Sequence, residues 1–181
     1  GVLIQNGEGS GAGLSNAVNN GGGIHCFGYS SLTISNTVFS NNNAGSGNDY
    51  GYGGALASIY CDLFISDSEF LGNTAGGGGG LFVEKANVDL SDSLFHFNLS
   101  TDLGGAIMVD SPVVTSSFSA SNLEFIENSA DYGGAVSLLY VDSVLINILL
   151  NGNYAASAGG GFHVFSGSFD GEQLSIEDNV A

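Results

Sequence analysis

The sequence predicts an all-β chain, a right-handed parallel β-helix of about six to seven rungs. Three observations carry that prediction. A glycine-rich start recurs along the chain. An apolar residue followed three positions later by asparagine recurs between those starts. The segments between them alternate apolar and polar residues at period two, the mark of half-buried strands.

The glycine starts are Gly21-Gly22-Gly23-Ile24, Gly53-Gly54-Ala55-Leu56, Gly78-Gly79-Gly80-Leu81, Gly104-Gly105-Ala106-Ile107, Gly133-Gly134-Ala135-Val136 and Gly159-Gly160-Gly161-Phe162, spaced by 32, 25, 26, 29 and 26 residues. Glycine suits a corner because it reaches φ > 0 and lets backbones approach closely. A phosphate-cradling loop is a poor reading, since no strand-glycine-helix unit and no GxxxxGK pattern is present.

Just after each start, Ile24, Leu56, Leu81, Ile107, Val136 and Phe162 occupy one equivalent position. Two residues on come Cys26, Ser58, Val83, Val109, Leu138 and Val164. A second segment aligns Leu32, Leu63, Val88, Phe118 and Phe169, then Ile34, Ile65, Leu90, Ala120 and Leu145. Helices need apolar residues three and four apart, and no repeat shows that. A leucine-rich repeat would need its own consensus and a helical half. Coils stacked at roughly 4.8 Å give one parallel sheet per face and a rod of about 30 Å for six rungs.

The apolar-x-x-asparagine signature supplies a core stack and a polar ladder. The stack is Phe39, Phe70, Phe95, Phe125, Leu150 and Ile176, and the ladder is Asn42, Asn73, Asn98, Asn128, Asn153 and Asn179. Leu3 with Asn6 reads as a weaker first copy. Amides one rung apart can donate to one neighbour and accept from the other. Asn36, Asp67, Asp92, Asn122 and Asn147 form a second polar column.

With one lysine, no arginine and 18 acidic residues, the formal charge is −17. Nucleic acid and anionic membranes are thereby disfavoured as partners, as is any site that clamps a phosphate with arginine. Such charge suits a saline or calcium-containing exterior. At 43% apolar content the chain has enough to fill a core, and collagen is excluded by one proline and no Gly-x-y period. No apolar run is long enough to span a bilayer, and the first residues lack the basic start of a signal peptide.

Phe-x-x-Asn followed by Gly-Gly-Ala-(Ile/Leu/Val) resembles the paired signature of chlamydial polymorphic outer membrane protein repeats. Its strongest copies are Phe39/Asn42 with Gly53-Gly54-Ala55-Leu56, Phe95/Asn98 with Gly104-Gly105-Ala106-Ile107, and Phe125/Asn128 with Gly133-Gly134-Ala135-Val136. The resemblance implies the passenger of an autotransported surface protein that adheres to other cells. Gly80 and Gly161 stand where that pattern has alanine, and no membrane-barrel segment is recognisable.

Extra residues fall at Gly7 to Asn20, Asn43 to Tyr52 and around Ser111 to Ser117, where loops would leave the rod. Asn48, Asp49, Tyr50 and Tyr52 make the candidate contact loop, with groups suited to calcium, a sugar ring or a protein. A plain solvated loop is the preferred reading, because the calcium-binding nonapeptide of other β-rolls is absent. The expected cofactor is accordingly none. Outward positions read His25, Ala57, Phe82, Met108, Ser137 and His163, which argues against an ice-binding threonine column and leaves Phe82 with Met108 as a small exposed apolar patch.

Enzymes do occur on this fold, so chemistry must decide. A lyase acting on uronates needs a cation, and Lys85 alone is a poor candidate. Hydrolysis would use paired carboxylates such as Asp67 and Asp92, or Glu69, but a solvated acidic face is the better account. His25 and His163 share a column yet lie about 24 Å apart, too far for one metal. No catalytic residue is assigned.

Asn98-Leu99-Ser100 is the one Asn-x-Ser/Thr site, and ladder use is favoured over a glycan. Cys26 is predicted inward and Cys61 near a corner, which leaves their pairing open. Residues 1–181 read as one β-helical segment, expected to continue into a longer solenoid or to abut neighbours end to end. The expected function is a non-enzymatic extracellular surface scaffold, adhesin-like, meeting a protein or glycan on another cell. A filament or coat subunit is the alternative, and a polysaccharide-acting enzyme a distant third.

Overall fold

A computed structural model describes residues 1–7, 21–45, 51–112 and 116–181. The chain forms a parallel β-helix whose glycine starts bound about five complete turns, fewer than the six to seven expected because the coils at either end are partial. Among the described residues there is no α-helix, and so none long and apolar enough to cross a membrane.

Each turn has three walls. The first follows the glycines, as in Leu81–Glu84, Ile107–Asp110, Val136–Leu139 and Phe162–Phe165. The second is a longer strand that bends midway, as in Val88–His96, Ser117–Ile126 and Asp142–Asn151. The third is a separate four-stranded sheet of Thr74–Gly77, Leu99–Leu103, Ser129–Tyr132 and Tyr154–Ala158. Every strand pair is parallel and one coil apart, so Leu56 faces Leu81, Leu81 faces Ile107, and Ile107 faces Val136.

The bend in the second wall falls on Asn36, Asp67, Asp92, Asn122 and Asn147, with φ of 50°, 49°, 48°, 54° and 56°. Asn and Asp tolerate this left-handed region better than other residues with a β-carbon. One such residue redirects the strand and reverses which face its neighbours take. Ile65 and Phe70, or Leu90 and Phe95, therefore both point inward despite an odd spacing.

The glycine starts have two separate causes. Gly104 sits at φ 63°, where a β-carbon is strained. Gly105 has no such φ, but a β-carbon there would lie 2.0 Å from the Gly134 carbonyl oxygen of the next coil. The third position accepts Ala55, Ala106 and Ala135, all fully buried, or Gly80.

Inside, Phe39, Phe70, Phe95 and Phe125 stack with ring centroids 4.8, 4.5 and 5.1 Å apart. Leu150 continues the column and is fully buried. Ile176 is in register with Leu150 but 57% exposed, since it lies on the last described coil. At the other end, Ile4 rather than Leu3 pairs with Phe39, which shifts the expected Leu3/Asn6 copy by one residue.

The expected exposed patch at Phe82 and Met108 is instead a second small core. Phe82 and Met108 are each 5% exposed, packed with Ala57 and partly covered by Tyr52, Leu103 and Leu139. The third wall folds back over the outward face of the first: a β-carbon on Gly77 would meet both Met108 Sδ and the Tyr52 ring at 2.8 Å.

Truncating a central ring removes a stacking partner on both sides and leaves a cavity. Phe95→Ala is expected to cost about 3–5 kcal/mol, read as a lower midpoint in urea denaturation.

Candidate functional site

The asparagine column fully occupies its polar groups. Asn42 Nδ2 donates to Asn73 Oδ1 at 3.0 Å, and the same bond runs from Asn73 to Asn98, Asn98 to Asn128, Asn128 to Asn153 and Asn153 to Asn179. The second Nδ2 proton goes to a carbonyl of the preceding coil, as from Asn98 to Phe70. Each Oδ1 also accepts a backbone N–H, as Asn128 does from Asn98. Asn42, Asn73, Asn128 and Asn153 are fully buried and Asn98 is 1% exposed. Gly7, not Asn6, stands at the head of the column and donates its backbone N–H to Asn42 Oδ1.

A second internal ladder escaped the sequence reading. The Thr37 backbone N–H donates to Ser68 Oγ, and Ser68 N–H donates to Ser93 Oγ. The hydroxyls of Ser68 and Ser93 in turn reach Ser66 and Ser91 carbonyls. Its signal was present: a small hydroxyl residue stands two positions before Phe39, Phe70 and Phe95.

Outside, the bend column is also hydrogen-bonded. Asn147 donates to Asn122 Oδ1 and Asn122 to Asp92 Oδ1. Asp67 and Asp92 stand one coil apart and line an open groove with Glu69, Glu124, Ser68 and Ser93. The groove lining carries no cation. Among the described residues, no group of three or more His, Cys, Asp or Glu side chains is arranged to hold a metal ion.

Asn48, Asp49 and Tyr50 of the expected contact loop lie outside the described residues. Tyr52 lies within them and is half-buried, its ring 4.6 Å from that of Phe82. This tyrosine serves the second core instead of presenting itself to solvent. His25 and His163 do occupy one column through successive pairings, and His163 Nδ1 lies 3.1 Å from Ser137 Oγ.

Cys26 and Cys61 form a disulfide with Cα atoms 6.0 Å apart. They do not share a column: Cys26 pairs with Ser58, and Cys61 with Ser30. A bulge between Phe27 and Ser30 brings the two half-turns together. The staple joins a first coil whose inward Ile24 and Leu32 are only half-buried. Beyond it, Tyr29, 95% exposed, lies 5.2 Å from the Tyr60 ring.

Lys85 donates to Glu84 and stands over the Tyr60 ring, and those two partners raise its pKa. Burial pushes Asp102 above the usual carboxylate range, with Asp131 adding to it. Asp110 is likewise raised, first by burial and then by Glu84. Asp142 moves down because the Ser168 hydroxyl and N–H both donate to it.

Residues 67–84 match the Chlamydia polymorphic membrane protein repeat. That stretch runs from the bend at Asp67 through Phe70 and Asn73 to the glycine start and Leu81. No curated protein and no solved structure matches the chain. Over residues 67–84 the chain is thus similar to that repeat, a likeness that fits the parallel β-helix and points to a surface or outer-membrane-associated protein.

Asn98 cannot accept a glycan in the folded rod, because both amide protons are committed inside the core. Expression in a glycosylating host is expected to give the unmodified intact mass. Asn98→Asp removes both donations and buries an acceptor-only group, at a cost of about 1–3 kcal/mol or more, which thermal unfolding would register.

Proposed function

We propose that this chain is a non-enzymatic extracellular scaffold, adhesin-like in role, whose rigid rod displays outward columns and loops to a protein or glycan on another cell. The observation that carries this reading is the paired signature itself. Its asparagines and phenylalanines are consumed in stacking one coil on the next, which leaves none of the signature's own side chains free for chemistry. The match of residues 67–84 to a membrane-protein repeat supports a place at the cell surface. A cross-coil disulfide fits an oxidising exterior.

Chemistry supports the same side. The groove at Asp67 and Asp92 carries four carboxylates and no cation, so uronate-containing polysaccharides are repelled from it. Asp67 and Asp92 both hold the bend of the second wall, at φ of 49° and 48°, and Asp92 also accepts from Asn122, which gives the two positions a structural role.

Beads coated with the purified chain are expected to adhere saturably to cultured epithelial cells, in competition with soluble chain, and to release no reducing ends from a polysaccharide panel. Turnover that disappears in Asp67→Asn or Asp92→Asn would make the protein an enzyme. Absence of adhesion, together with regular end-to-end fibres in electron microscopy, would make it a filament subunit.

A further inference from the structure

Asp110 ends the strand Ile107–Asp110. Parallel pairing sets it opposite Glu84 on one side and Leu139 on the other. Its Oδ1 is buried and has no hydrogen-bond partner. Adjacent coils are roughly 4.8 Å apart, so two carboxylates share a column at close range.

The chain's one lysine does not resolve this. Lys85 Nζ is committed to Glu84 and lies 5.2 Å from the Tyr60 ring centroid. Only its backbone N–H reaches Asp110, donating to the main-chain carbonyl at 3.1 Å. From the following coil come Leu139, which is apolar, and Tyr140, whose ring packs edge-on against Phe165. Among the described residues no cation contacts the Asp110 carboxyl.

A half-buried carboxylate with one buried, orphaned oxygen beside a second carboxylate is costly when ionised, and protonation relieves that cost. With Asp110 protonated, Glu84, Lys85 and Asp110 together carry no net charge. We propose that Asp110 is a proton-operated latch: when its carboxyl takes up a proton, the coils at Glu84, Asp110 and Leu139 hold together more firmly than when it is ionised.

Burial and Glu84 both raise the Asp110 pKa, with Lys85 opposing them. A carboxyl held above its ordinary range binds its proton in the folded chain before the unfolded chain does. Stability therefore rises as pH falls through the folded-state value and levels off below the unfolded one. Asp102 acts in the same direction and Asp142, held down by the Ser168 donors, in the opposite one, so the whole-chain curve contains all three groups.

The test separates them by following the Asp110 side-chain carboxyl by carbon NMR in the intact chain, alongside urea midpoints for wild type and Asp110→Asn. The expected result is a titration midpoint clearly above the ordinary aspartate range, which moves down in Glu84→Gln. Asp110→Asn should unfold at higher urea than wild type at neutral pH and lose part of the acid-induced rise. A carboxyl that titrates in the ordinary range overturns the proposal, and this measurement stands on wild type alone if the variants fold poorly.

Discussion

Everything in this molecule depends on parallel stacking in register, because it places each residue beside its own equivalent one coil away. A side chain is useful only if it packs well against a copy of itself. Phenylalanine does so by offset stacking, and Phe39, Phe70, Phe95 and Phe125 fill one corner of the core in that way. Asparagine does so because its amide is both donor and acceptor, so the ladder repeats one bonding pattern from Asn42 to Asn179. Aspartate fails this test when ionised, and accordingly it appears at the exposed bend, where water or an asparagine neighbour supplies the donor.

The same constraint explains what the sequence revealed. Columns that repeat a residue type, such as Leu56, Leu81, Ile107 and Val136, were legible because periodic recurrence is itself the structural signal. Features that break periodicity were not. The Cys26–Cys61 pairing joins unlike column positions through a bulge that exists in one coil alone. Burial of Phe82 and Met108 depends on the third wall folding over the first, and strand alternation by itself labels those positions outward. At the amino-terminal edge, Gly7 meets the ladder with a backbone N–H, so no asparagine marks the true register and Asn6 misleads. The Thr37, Ser68 and Ser93 ladder was hidden for another reason: hydroxyl residues are common on the solvent face of strands, and only the bend residue before them turns these inward.

Charge follows the division between walls. Carboxylates occupy outward positions such as Asp89, Glu124 and Asp170, where water solvates them, while the interior ladders are neutral amides and hydroxyls. A chain of formal charge −17 can therefore keep a continuous apolar core. The cost is self-repulsion along the columns, which salt relieves. Glu84 and Asp110 are one place where that repulsion reaches a partly buried position, at the end of their strands.

Specificity in such a rod must reside where self-complementarity is broken. A coil that only repeats its neighbours presents the same surface along its length and can distinguish no position from another. The bulged corner at Phe27 to Ser30 differs: its disulfide fixes two coils together, and Tyr29, Tyr60 and Lys85 follow one another where the other corners carry unlike residues. Tyr60 and Lys85 share with Tyr140 and Ser166 the positive φ of this corner, 56°, 55°, 56° and 64°, a conformation that costs side chains with a β-carbon about 1–2 kcal/mol. Asparagine would take that position more easily, as it does at the bend of the second wall. The repeat thus builds the rod, and departures from it give individual coils their own character.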